Sequence, residues 1–183
     1  PFVDNQQAPA LDLAAAHAQG GEEAVKALLA KALSRGRMAA RARLEAGDDG
    51  LATARALSAE ADRVVAALYE YAAARFGGEP DRLAVIAVGG YGRRELAPFS
   101  DLDLLFLRGR AESPFAAHVA QTMLYFLWDL GLKVGQASRT VEENIKLARD
   151  DATIQTTLLE ARCIAGDQAL AQTLDTRFRK EGA

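Results

Sequence analysis

The sequence predicts an α+β fold: a small sheet with covering helices, preceded by a helical segment. Three observations carry that prediction. Apolar residues recur at three- and four-residue spacing from Glu22 to about position 78, the period of a helix face. At Leu83 the texture changes to "LAVIAV", an apolar run too short for a helix and bounded by glycine. Beyond it, short apolar runs alternate with segments that carry helix-cap signals.

Taken in order, "PFVDNQQAP" has no period, and residues 1 to about 21 read as a poorly patterned leader that frays or packs on a neighbour. Helical patterning starts at Glu22, with Val25, Leu28, Leu29 and Ala32 on one face. "SRGRMAARARLEAGDDG" continues it as a basic helix, broken at Gly47 to Gly50. Leu57, Val64, Val65, Leu68, Tyr71 and Ala72 mark a second helix that ends near "FGGEP". Residues 1–78 therefore form a helical hairpin or small bundle, and 79–183 the sheet-bearing core. In that core "LAVIAV" and "LDLLFL" are strands. Ser113 caps, and Pro114 opens, the helix "FAAHVAQTMLYFLWDL", which stops at Gly131. "LKVGQAS" is a third strand. Thr140 and Glu143 form a capping box that opens the next helix. "ATIQTTLLEARCIA" reads as helix up to Gly166, and Asp167 caps a last helix to about Arg179.

Composition narrows the function. Half of the 183 residues are apolar, enough for a real core. A net charge of −3 lacks the basic footprint of a nucleic-acid binder, so any affinity for phosphate rests on locally placed arginines. Cys163 is the single cysteine, which excludes an internal disulfide and suits a reducing cytoplasm. No apolar run approaches the roughly 20 residues of a membrane span, and the N-terminus lacks a signal-peptide pattern.

The stretch "LAVIAVGGYGRRELAPFSDLDLLFL", Leu83 to Leu107, carries the chemistry. A strand followed by a glycine turn suggests three phosphate-binding devices. A P-loop needs a lysine after the glycines, and none follows. A dinucleotide fingerprint needs glycine at its sixth position, where Glu95 stands. The third device pairs the glycine turn with two acids on the next strand. Glycines without Cβ let backbone N–H groups approach a triphosphate, and a short helix starting there adds its positive end. Arg93 and Arg94 supply planar donors. Asp101 and Asp103, two apart, share one strand face, while Leu102, Leu104 and Phe106 point into the core. Two such carboxylates repel unless a cation lies between them, and hard oxygens suit Mg²⁺. Leu105 and Leu107 continue the same face, so it is not simply a solvated one.

"GGYGRRELAPFSDLDLLFL" resembles the signature of the polymerase-β-like nucleotidyltransferase superfamily. Its longer form is similar to the bacterial PII uridylyltransferase/uridylyl-removing family. The resemblance extends downstream through "WDLGLKVGQASRTVEENIKLARDDATIQTTLLEARCIAGD" and upstream through "GRMAARARLEAGDDGLATARALSAEAD". The glutamine synthetase adenylyltransferases are close relatives, but they carry an acid-bearing "D-L-R-L-R-P" strand where this chain has "KVGQASRT".

The resemblance implies a polymerase-β-like nucleotidyltransferase fold with a small mixed sheet. It implies UTP bound by its triphosphate at Gly89, Gly90 and Arg93, with Mg²⁺ bridging to Asp101 and Asp103. A tyrosine hydroxyl of the signalling protein PII then attacks the α-phosphorus, and pyrophosphate leaves. Ser100 binds a phosphate or shapes the turn. Glu95 braces the loop, and Arg94 pairs with it or with a neighbouring acid. The superfamily's usual third carboxylate is missing from "LKVGQAS"; Glu160 is the candidate substitute, its other reading being a helix-surface acid paired with an arginine. The alternatives are a nucleotide-binding regulatory domain of the same fold, or a protein adenylyltransferase. Family members are far longer, with metal-dependent HD hydrolase and ACT domains. This chain has two histidines, His17 and His118, and no His-Asp pair, so it is expected to be a fragment or a stand-alone relative. His118 is expected to pack or face solvent. Trp128, Tyr125 and Phe126 are expected in a core or interface, and Cys163 as a small buried hydrophobe on a helix face. Arg35, Arg37, Arg41 and Arg43 are expected on a solvated helix face.

Overall fold

The protein was analysed as a computed structural model that describes residues 10–181. The expectation for "PFVDNQQAP" lies outside the described residues. Two long helices come first, α1 (Leu13–Glu45) and α2 (Gly50–Ala74). They pack as the expected hairpin. Asp49 caps α2 through the Ala52 amide at 2.7 Å. Helix α1 starts earlier than the leader reading implied. The Asp12 carboxylate accepts the Ala15 amide at 2.8 Å, and Leu13 is buried against the core. The pattern was obscured because Gly20 and Gly21 leave helical geometry and kink α1 where the regular period begins.

The core comprises β1 (Leu83–Ala87), a short α3 (Gly89–Gly92), β2 (Leu102–Arg108), α4 (Pro114–Asp129), β3 (Val134–Thr140), α5 (Val141–Asp150), α6 (Ala152–Leu159), β4 (Arg162–Gly166) and α7 (Gln168–Glu181). The sheet is mixed, in the order β3-β2-β1-β4. Strand β1 runs antiparallel to β2 and β4, while β2 and β3 are parallel and joined by the crossover helix α4.

Both faces of the sheet are covered, and strand alternation decides which side chain goes where. Leu83, Val85, Ala87, Leu102, Leu104 and Phe106 join α1, α2 and α4 in one apolar cluster. Ala84, Ile86, Leu105 and Leu107 join α5, α6 and α7 in the other. This is why "LAVIA" reads as continuously apolar: it is a central strand buried on both sides.

Three expectations are corrected. "ATIQTTLLEARCIA" is not one helix: α6 ends at Leu159, and Arg162–Gly166 is strand β4. Pairing along the otherwise open edge of β1 overrides the local helical pattern. Gly166, at φ +85°, closes the strand so tightly that a Cβ there would strike the Leu83 carbonyl. Cys163 accordingly lies on a strand and is only half-buried. Of the three aromatics expected in a core or interface, Phe126 is in the core, whereas Trp128 and Tyr125 are exposed and so lie outside it, with the Tyr125 hydroxyl taking a hydrogen bond from Lys26 Nζ at 3.2 Å.

Three further structural expectations hold. His118 packs, its Nε2 3.2 Å from the Ala72 carbonyl. Arg35, Arg37, Arg41 and Arg43 are exposed. The capping box at the β3–α5 junction is complete: Thr140 Oγ1 accepts the Glu143 amide at 3.2 Å, and Glu143 Oε2 accepts the Thr140 amide at 2.7 Å. Thr140→Ala is expected to lower stability by about 1 kcal/mol, measurable by urea unfolding.

Candidate active site

The glycine turn and the acid strand are fastened together by the sheet. The Val88 amide donates to the Asp103 carbonyl at 3.1 Å, so the first glycine follows directly from the pairing of β1 with β2. Gly89 then takes φ +59°, a conformation that side-chain-bearing residues rarely adopt. A Cβ on it would lie 3.3 Å from Asp103 Oδ2. Across the sheet, Asp103 is in register with Gly135 on β3, and a Cβ there would collide with Asp103 Oδ1. A glycine at the start of α3 and a glycine on β3 thus form the slot that holds one carboxylate.

Asp101 stands just before β2 rather than on it, and is exposed. Its charge still reaches Asp103. Burial first, and then the Asp101 charge, push the Asp103 carboxyl above its ordinary pKa. The pair has the electrostatics of an anionic site that a cation would relieve.

Gly90 and Arg93 are adjacent, since a Cβ on Gly90 would lie 3.7 Å from Arg93 Nη2. The Arg93 guanidinium is held by Glu95, Nε to Oε2 at 2.7 Å, and by Glu160, Nη1 to Oε2 at 2.6 Å. Glu95 therefore braces the loop, but through Arg93 rather than Arg94. Glu160, at the C-terminal cap of α6, is an arginine-paired acid whose partner comes from across the fold. Ser100 shapes its turn: its hydroxyl donates to the Ala97 carbonyl at 2.9 Å.

One anchor of the turn lay outside the sequence reading. Arg162 on β4 forms a two-pronged pair with Asp62 of α2, at 2.7 and 3.1 Å. It also donates to the carbonyls of Tyr91 at 3.1 Å and Gly92 at 3.2 Å. The same side chain thus ties α2, the glycine turn and the sheet edge together. The Tyr91 ring is buried beneath it, and burial together with the Asp62 charge drives the phenol pKa upward. Gly92 is equally constrained, since a Cβ would strike the Glu160 carbonyl.

The strand, the glycine turn and the following acid strand lie within a stretch of the chain that matches a known family. The family model described as "Putative nucleotidyltransferase DUF294" matches residues 34–144. The chain belongs to this nucleotidyltransferase family. Among curated relatives, the nucleotidyltransferase is 53% identical over 159 residues to the bifunctional uridylyltransferase/uridylyl-removing enzyme of Caulobacter vibrioides, covering 84% of this chain and 17% of that protein. The enzyme of the same name from Phenylobacterium zucineum is 55% identical over 159 residues, with the same coverage. That from Bradyrhizobium diazoefficiens is 41% identical over 181 residues, covering 94% of this chain and 20% of that protein. The chain thus spans a fifth or less of the length of these relatives. Among the described residues, no helix is long and apolar enough to cross a membrane.

The donor set of this nucleotidyltransferase suits a hard divalent cation. It offers carboxylate oxygens and no soft ligand, and Asp103, its pKa raised first by burial and then by the Asp101 charge, is a carboxylate that a cation would relieve. No group of three His, Cys, Asp or Glu residues converges among the described residues, so the remaining ligands of such an ion would be water and substrate phosphate. Gly135→Ala tests the slot. Its Cβ displaces the Asp103 carboxylate, so transfer is expected to fall by about tenfold or more in a rate assay while the fold is retained.

Proposed function

We propose that this nucleotidyltransferase moves UMP from UTP to a tyrosine hydroxyl of the signalling protein PII, releasing pyrophosphate. The observation that supports it best is the Asp103 carboxylate seated between Gly89 and Gly135, directly beside the glycine turn. The uridylyl group is suggested by the activity for which the uridylyltransferase relatives are named, and the protein acceptor by the resemblance of the motif to the PII-modifying family.

In this reading the backbone amides at Gly89 and Gly90 face the triphosphate, and the glycines permit close approach. Asp101 and Asp103 would hold Mg²⁺, which when bound neutralises phosphate charge and favours in-line displacement at phosphorus. The two carboxylates place that positive charge at one end of the turn. Arg93 stands ready at the other, and a phosphate would compete with Glu95 and Glu160 for its guanidinium. The acceptor hydroxyl releases its proton to water and its oxygen forms the new bond to the α-phosphorus, as the bond from that phosphorus to the α,β-bridging oxygen breaks and pyrophosphate leaves.

The occupied state of Arg93 favours a second reading, a domain that binds nucleotide without transferring it. Incubation with PII, labelled UTP and Mg²⁺ separates the two. Label on PII that is absent without Mg²⁺ is the expected result. Bound UTP with no label on PII, repeated in the longer parent enzyme, supports the second reading instead.

A further inference from the structure

The acid slot opens into a cavity of about 320 Å³ between the sheet and the α5–α6 pair. Gly89 and Asp103 lie at one end of its lining. Its floor follows one sheet face, since Leu105 pairs with Ala137 and Leu107 with Arg139 in the β2–β3 register. Arg139 is four residues along β3 from the Gly135 that touches Asp103, roughly 13 Å by strand rise. The trough therefore runs from the Asp103 carboxylate and the glycine turn, over an apolar floor, to a cation.

Two groups in this lining keep polar capacity that the fold does not use. Arg139 is half-buried, and no carboxylate lies within ion-pair distance of it among the described residues, whereas Arg93, Arg108, Arg162 and Arg177 are all paired. Asn144 on α5 is fully buried. Its amide nitrogen donates to the Thr140 carbonyl at 2.8 Å, which fixes the amide orientation because a carbonyl only accepts. Its Oδ1 has no partner among the described residues, an uncommon state for a buried acceptor.

We propose that this trough is the nucleobase subsite, with Arg139 and Asn144 reading an imide edge. The proposal rests on the nucleotidyl-transfer reading above. With the phosphates at Asp103, a nucleoside laid along the trough places a flat ring over Leu105 and Ala137. Arg139 offers only donors, and Asn144 Oδ1 only an acceptor. Uracil presents the complement: carbonyl oxygens for Arg139 and an N3–H for Asn144, directly or through a bridging water. Cytosine and adenine present a ring acceptor and an exocyclic amine at the same edge, so both groups would face a like partner. Arg139 and Asn144 are therefore specificity residues, set apart from the phosphate-binding turn.

The test uses this chain with Mg²⁺ and calorimetric titration of UTP, CTP, ATP and inorganic tripolyphosphate. The wild-type chain is expected to bind UTP about tenfold or more tighter than CTP or ATP. Arg139→Ala is expected to weaken UTP by about tenfold, erase the preference over CTP, and leave tripolyphosphate affinity within about twofold. Should Arg139→Ala not fold, Arg139→Lys carries the same comparison, since it keeps stem and charge but loses the planar fork. Equal weakening of UTP and tripolyphosphate would make Arg139 a phosphate contact and overturn the proposal, as would unchanged UTP affinity. Binding of neither ligand by the wild-type chain overturns the transfer reading, and the subsite with it.

Discussion

Asp103→Asn is expected to abolish nucleotidyl transfer and, in the absence of metal, to make the protein more stable at neutral pH. Both effects come from one environment. The Asp103 carboxylate is desolvated in the Gly89–Gly135 slot and faces the Asp101 charge, so its pKa is raised. A carboxyl with a raised folded-state pKa binds its proton more readily in the native protein than in the unfolded chain. Its ionised form is thus destabilising above the folded pKa, and that load is relieved as pH falls through it. Asparagine removes the load at neutral pH. The advantage of the variant over wild type should shrink as pH is lowered through the raised pKa, and should be gone once Asp103 is protonated. Thermal unfolding of both proteins across that range checks the sign. Transfer should fall by about a hundredfold or more, because the asparagine side chain cannot supply the charge that holds a cation against the triphosphate. A variant that loses stability at neutral pH would show that Asp103 has a structural role that the slot does not explain.

Arg162→Ala carries the largest expected loss of stability. Its guanidinium satisfies Asp62 at two oxygens and caps the carbonyls of Tyr91 and Gly92, with Arg162 and Asp62 side chains only 19% and 25% exposed. Removing one partner of a largely buried pair leaves the other charge desolvated, an effect of about 3 kcal/mol. For a chain of this size, that lowers Tm by roughly 6–12 °C. The glycine turn loses its anchor in the same stroke, so nucleotide binding should weaken even at temperatures where the variant remains folded. Asp62→Asn keeps a hydrogen-bonding partner for Arg162 and is expected to be milder. Calorimetric unfolding of the two variants, with UTP titration at low temperature, tests both halves of the expectation.

These two residues also show where the sequence was informative. Asp103 was legible because its neighbours report it. A glycine turn after a short apolar strand and an acid within an alternating one are local patterns, and the sheet faces of Leu102, Leu104, Leu105 and Phe106 follow from period two alone. The helix caps at Ser113, Thr140 and Asp167 were legible for the same reason, since each bonds an amide three residues away. Arg162 was not legible, because Asp62 is a hundred residues distant and nothing local marks the pair. Strand β4 was hidden likewise: its stability lies in the edge of β1, not in "RCIAG" itself. The Arg93–Glu160 contact depends on where that strand delivers the end of α6. Gly135 lay between the two cases. A glycine within a predicted strand signals close approach of another group, but the group it admits is known only once β3 is set in register with β2.

Asp101 and Asp103 are proposed to hold a divalent cation jointly, next to the glycine turn. Manganese, a paramagnetic stand-in for magnesium, reports it directly when titrated into the chain with UTP and followed by electron paramagnetic resonance. Loss of the free-ion signal at one site per chain, absent in Asp101→Asn and Asp103→Asn, is the predicted result. Binding of equal strength in wild type and both variants would contradict it.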